Sequence, residues 1–95
     1  MSNPLSLLGL ALRAGFIIDG EERVLKAIPH IKPILIFLAK DAGENIKKKV
    51  HDKVQSFNAH LIEHYTSDEL SHAIGKINRK VLALTDKGFI QQILR

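Results

Sequence analysis

The chain has 95 residues, with 14 Lys plus Arg against 10 Asp plus Glu and a formal charge of +4 at pH 7. At 45% hydrophobic and 25% charged residues it has the make-up of one ordinary folded domain, not of a disordered tail. The absence of cysteine excludes disulfide-stapled scaffolds and thiolate zinc sites, and the basic balance favours an anionic partner.

The first predicted helix opens at Asn3-Pro4, with Asn as N-cap and Pro at the first helical position. Leu5, Leu8 and Leu12 then recur at helical spacing, and Gly15 supplies a left-handed stop. The apolar run from Leu5 to Leu12 is a poor secretory leader, because it lacks a basic n-region, Arg13 interrupts it and no small-residue cleavage site is evident. It is also well short of the ~20 residues that span a bilayer. The expected location is therefore cytoplasmic, with no membrane partner.

Phe16 to Ile18 is a short extended apolar run, after which Asp19 and Glu22 have the spacing of a variant capping box for a second helix ending at Pro29. The near-continuous apolar run from Pro33 to Ala39 predicts a buried strand. Ile46, Val50, Val54 and Phe57 mark one face of a third helix. The stretch from Ala59 to Tyr65 alternates imperfectly and reads as a strand. Thr66 and Glu69 form a capping box for a short helix closed by Gly75. A strand over Arg79 to Thr85 and a last helix over Asp86 to Leu94 complete the chain. Strands alternating with helices predict an α/β domain with helices on both faces of the sheet, while leaving the strand order open.

His60 to His64, His-Leu-Ile-Glu-His, matches the spacing of one class of zinc peptidase. That chemistry needs two histidines one helical turn apart; in a strand they stand about 13 Å apart, too far for one metal. The match is read as coincidence. No phosphate loop, nucleophile elbow or dinucleotide fingerprint is present, so a non-enzymatic protein is expected. Lys47, Lys48 and Lys49 lie on the third helix, with Lys47 and Lys48 directed mostly outward. They are either a solvated face supported by a Glu44–Lys48 pair or contacts to phosphate.

The second helix poses a sharper question, since a basic chain places Asp19, Glu21 and Glu22 at its mouth. Capping explains the acids without any ligand. A carboxylate also accepts hydrogen bonds from base amino groups, so an acid here is equally suited to reading a base edge while Arg23 and Lys26 hold the backbone. The residues alone leave both readings open.

The blocks LLGLALRAG, GEERVLKAI, ILIFLAKDAGEN, TSDEL and VLALTDKGF occur in an order that resembles the small bacterial YlxQ-type proteins of the kink-turn-binding ribosomal-protein superfamily. The resemblance runs over nearly the whole chain. It implies a three-layer α/β/α sandwich around a small mixed sheet of about four strands, with residues 1–95 as a single RNA-binding domain. It implies structured RNA as partner, ribosomal or another non-coding RNA, with ribosomal proteins as further partners and no cofactor, metal or small-molecule substrate.

The superfamily reads RNA through Gly-x-Asn-Glu-x-x-Lys at the start of the second helix. Here Gly20 and Lys26 match, whereas Glu22 stands in place of Asn and Arg23 in place of Glu. Lys40-Asp41 and Tyr65-Thr66-Ser67 correspond to two flanking surfaces, of which Asp41 and Ser67 match. The expected RNA-binding set is therefore Arg13, Gly20, Glu22, Arg23, Lys26, Lys40, Asp41, Lys47, Lys48, Tyr65, Thr66 and Ser67. The bacterial branch often carries Lys at the place of Phe16, Asn-Thr at Asn45-Ile46 and Gly at Ser71. The alternative expectation is a protein-interaction module on the same fold, using the apolar stretch from Phe16 to Ile18 as its surface.

Overall fold

A computed structural model describes residues 3–95. Helix α1 spans Pro4–Arg13; the Asn3 side chain accepts from the Leu5 N–H at 2.9 Å, as an N-cap should. Its C-terminus closes at Gly15, φ 85°, where the Gly15 N–H reaches the Leu12 carbonyl and the Phe16 N–H reaches that of Ala11. That pair of bonds is a Schellman closure, and it turns the chain sharply into strand β1, Ile17–Asp19. Helix α2, Glu21–Ala27, departs from expectation: Gly20 is its N-cap, and no side chain caps it. Asp19 faces inward, and Glu22 lies on the exposed side of the helix.

Strand β2 is Leu35–Leu38, helix α3 is Glu44–Phe57 and strand β3 is His60–Ile62. Helix α4, Ser67–Ala73, opens on the anticipated capping box, with the Thr66 hydroxyl accepting from the Glu69 N–H and the Glu69 carboxylate from the Thr66 N–H. Strand β4, Val81–Leu84, leads to helix α5, Lys87–Leu94, which Asp86 caps.

The four strands form one mixed sheet in the order β1-β4-β2-β3. β4 is antiparallel to both neighbours, while β2 and β3 are parallel, so β1, β2 and β3 all point the same way. Helices α1, α4 and α5 pack together on one side, and α2 packs with α3 on the other, giving the expected three layers. The central strands β2 and β4 are buried throughout, which accounts for their uninterrupted apolar sequences. Leu8, Val24, Ile28, Phe37, Val50 and Leu70 fill the space between sheet and helices. Each such side chain contributes roughly 1.5–3 kcal/mol by leaving water. Among the described residues no helix is long and apolar enough to cross a membrane.

Helix α3 also lacks a side-chain cap, because its N-cap is Gly43, at φ −66° and ψ 159°. Thr66, a working cap, has nearly the same backbone angles, and a Cβ on Gly43 meets nothing within 4 Å. Gly43→Ser is therefore expected to stabilise the protein by about 0.5–1 kcal/mol, through the new cap and a less flexible unfolded chain. Thermal denaturation followed by circular dichroism measures it.

Candidate nucleic-acid interface

Because β1, β2 and β3 run in parallel, the turns into α2, α3 and α4 emerge at one end of the sheet. The entry to β4 lies there too: the Gly20 N–H bonds the Val81 carbonyl at 3.0 Å, and the Ala39 N–H bonds that of Lys80 at 2.8 Å. Open α/β sheets bind ligands outside the carboxyl ends of such strands, where loops diverge and backbone groups remain unpaired.

This end gathers most of the expected set. Gly20, Glu22 and Arg23 come from the β1–α2 junction, Lys40 and Asp41 from the β2–α3 junction, and Tyr65, Thr66 and Ser67 from the β3–α4 junction. Asp41 binds the last two junctions together, its Oδ1 accepting from the Ser67 N–H at 2.7 Å and its Oδ2 from the Ser67 hydroxyl at 2.8 Å. The bonds from the Ser67 backbone and hydroxyl hold the Asp41 carboxyl below the usual range. The Lys40 N–H donates to the Tyr65 carbonyl at 2.8 Å, so Lys40 and Tyr65 are fixed side by side. Glu69 is likewise held below its ordinary pKa, chiefly by the Thr66 N–H. Asp41, Thr66 and Ser67 thus shape the rim through their own bonds, and Lys40 stays exposed.

Tyr65 lies against His64, ring centroids 4.4 Å apart, and against Phe37 behind it at 6.3 Å. Burial, and next the charge of Glu69, push its hydroxyl above the ordinary pKa. At the mouth of α2, Glu22 is 83% exposed and paired with Lys26 at 3.4 Å, and Arg23 is 72% exposed. Glu22 makes no capping bond, which removes the capping explanation for it, while Arg23 reaches back to Asp19 at 3.8 Å.

The remaining expected residues are spread more widely. Arg13 ends α1 and precedes β1, so it lies at the opposite end of the sheet from Gly20. Lys26 faces an open groove of about 880 Å³ between α2 and α3, with Leu25, His30, Lys49 and Lys53. Lys47 is half-buried on the second turn of α3 and Lys48 is exposed beside it. The Glu44–Lys48 pair is not formed; Lys49 instead reaches across to Glu21 at 3.3 Å and joins the two helices. Phe16, Ile17 and Ile18 are half-buried against the core, with Phe16 6.2 Å from Phe89. That packing leaves only part of each side chain at the surface. His60 to Ile62 is strand and Glu63 pairs with His51 at 2.9 Å, so the zinc-peptidase spacing has no helix to bear it.

Sequence reasoning missed the segment joining α4 to β4. It carries Lys76, Arg79 and Lys80, and between them Ile77, an isoleucine 76% exposed. It also missed the work of Asp19. Only 8% exposed, its carboxylate accepts from Arg79 Nε at 2.6 Å and Lys76 Nζ at 3.2 Å, with Arg23 at 3.8 Å. Burial opposes ionisation of this group, yet hydrogen bonds from Arg79 and then Lys76 hold its pKa below the ordinary carboxylate value. The only available signal was a lone apolar residue in the basic stretch GKINRK.

No protein-family model matches the chain. It is 41% identical over 88 residues to "RNA-binding protein YlxQ" of Enterococcus faecium, a match covering 93% of this chain and 84% of that protein. To the protein of the same description in Bacillus subtilis strain 168 it is 38% identical over 88 residues, 93% of this chain and 88% of the relative. Among solved structures, a protein of unknown function from Bacillus halodurans C superposes with a TM-score of 0.89 at 38% identity, covering 99% of this chain and 95% of the other. The Giardia lamblia 15.5kD RNA binding protein has the same fold, with a TM-score of 0.79 at 18% identity over 95% of this chain and 80% of its own.

Proposed function

The chain belongs to the YlxQ family, and from that premise we propose that it is a non-enzymatic cytoplasmic protein that binds structured RNA at the end of the sheet where three strand-to-helix junctions converge. The observation that carries this reading is the convergence itself. It assembles an exposed acid and an exposed base, Glu22 and Arg23, the adjoining, mutually tilted rings of His64 and Tyr65, exposed Lys40 and Lys80, and the outward Ile77 on one rim. Bases that leave a helix can be stacked on aromatic rings and read along their edges by carboxylate and guanidinium groups, while lysines take the phosphates. Glu22 suits the amino groups of cytosine, adenine or guanine, and Arg23 suits acceptor edges. Gly20 lets the backbone approach at the point where a side chain would intervene. The favoured RNA is a bent, internally looped one of kink-turn type, in ribosomal or other non-coding RNA, and ribosomal proteins are fitting neighbours.

Lys26 stands beside Glu22 at 3.4 Å, and Lys47 and Lys48 follow on the first turns of α3, while Arg13, at the other end of the sheet, contributes through long-range attraction. Asp41, Thr66 and Ser67 act by shaping the rim.

Glu22→Ala and Arg23→Ala are each expected to weaken binding to a kink-turn hairpin about tenfold, equivalent to roughly 1.4 kcal/mol. The melting temperature should stay nearly constant, since exposed ion pairs contribute little. Titrations at several salt concentrations, beside a duplex of equal length, separate edge reading from charge. Wild-type binding to the duplex should fall with salt by 0.7–0.9 logarithmic units per neutralised phosphate, while binding to the hairpin survives moderate salt. Equal and equally salt-sensitive binding to both RNAs would refute the proposed selectivity. Intact binding with a large loss of stability in either variant would return these residues to a structural role.

A further inference from the structure

The segment from Lys76 to Arg79 is fastened at both ends to one carboxylate. Lys76 donates to both oxygens of Asp19, at 3.2 and 3.4 Å, and Arg79 Nε donates to Oδ2 at 2.6 Å. Arg79 then folds back on its own loop, Nη1 donating to the Ile77 carbonyl at 2.7 Å. Its backbone is held from the other side, the Arg79 N–H donating to Ser71 Oγ at 2.8 Å and the Ser71 hydroxyl donating to the Arg79 carbonyl at 3.2 Å. Ser71 is buried, and it stands where the bacterial branch often has Gly. Between these anchors Asn78 adopts a left-handed φ of 55° and Ile77 is driven into solvent.

Asp19 itself cannot drift. Ile18 and Asp19 are paired with Ala83 and Leu82 of β4, and the next residue, Gly20, bonds Val81. A nearly buried carboxylate on a sheet strand is thus a fixed point for a cationic loop. The arrangement has two effects on a polyanion. It gives the loop one shape before the partner arrives, which removes an ordering cost from binding. It also engages Lys76 and Arg79 with an internal anion, so that neither is free to grip phosphate on any RNA that passes.

We propose that Asp19 is a positioning residue of the RNA site, fixing the Lys76–Arg79 segment in one shape beside the mouth of α2 and withholding its two cations from indiscriminate phosphate contact. The role rests on the RNA-binding reading above, and it converts affinity for any polyanion into preference for one RNA shape.

Asp19→Asn tests it, because the amide keeps the size and one acceptor while losing the charge. Fluorescence anisotropy with a kink-turn hairpin and a duplex of equal length, each titrated with salt, gives both readouts. The preference for the hairpin should fall about tenfold, and the duplex salt slope should steepen by about 0.7–0.9 for each phosphate that a released cation captures. Asp19→Glu, which retains the charge, should restore most of the preference. A merely structural aspartate would lower both affinities together and leave the slope alone, and that result overturns the role. Should Asp19→Asn fail to fold, Arg79→Lys keeps the cation but loses the guanidinium fork, and the same two changes are required of it. Unchanged preference and slope in the folded variant overturn the proposal. Wild-type protein that binds neither RNA refutes the RNA reading itself, and wild-type protein that binds both equally removes the preference Asp19 is said to create.

Discussion

Gly20→Val is expected to lower the melting temperature by about 5–20 °C and to weaken RNA binding beyond what that instability explains. Gly20 has φ 97° and ψ 144°, close to a region that side chains essentially do not enter. A Cβ there meets nothing within 4 Å, so the penalty comes from the backbone alone. Such a conformation costs on the order of 1–3 kcal/mol for a residue with a side chain, and a domain of this size loses roughly 4–8 °C per kcal/mol. Relief of the strain would rotate the first turn of α2 and carry Glu22 and Arg23 off the rim. Thermal denaturation and hairpin titration of the same sample measure both effects. An unchanged melting temperature would mean that this turn is not held as described.

Phe37→Ala should have the larger effect on stability. Phe37 is fully buried in the middle of β2, opposite Leu82 on one side and Ile62 on the other. Truncating a buried phenylalanine costs about 3–5 kcal/mol, a large fraction of the 5–15 kcal/mol that holds a small domain together. The melting temperature should fall by about 15 °C or more, or the variant should fail to accumulate as folded protein. The same ring lies behind Tyr65, so folded molecules should also bind RNA more weakly. Phe37→Leu, which keeps most of the volume, should cost under about 1.5 kcal/mol and separate packing from fold. Equal melting temperatures for Phe37→Ala and wild type would contradict this account of the core.

The elements that could be read from the sequence are those determined by neighbours along the chain. Asn3-Pro4, Gly15, Thr66 with Glu69, and Asp86 act within a few residues of themselves, and all appear where their types and spacings require. The apolar stripe on α3 and the uniform runs of β2 and β4 are equally local. Asp19 shows where this logic ends. Its three-residue spacing to Glu22 is that of a cap, but its partners Lys76 and Arg79 lie 57 and 60 positions later. Two strong charge-assisted bonds across the sheet outweigh one cap worth about 1 kcal/mol. Lys49 is a similar case, taken by Glu21 28 residues away. Family likeness points to Gly20, Asp41 and Ser67 as candidates, whereas Ile77 required the loop itself, because one isoleucine among polar residues has no periodic signature. Arg13 is close to Gly20 in the chain, yet β1 separates the two at opposite ends of the sheet.

The strand order has a consequence for how the molecule is made. β4, formed by residues 81–84, lies between β1 and β2, so β1 has no sheet partner until residues 81–84 are in place. Without β4 the only strand pairing left is the short parallel pair of β2 and β3. Insertion of β4 joins the first and second halves in one step and brings Lys76 and Arg79 to Asp19 in the same movement. Completion of the sheet and placement of the Lys76–Arg79 segment against Asp19 are therefore one structural event, not two.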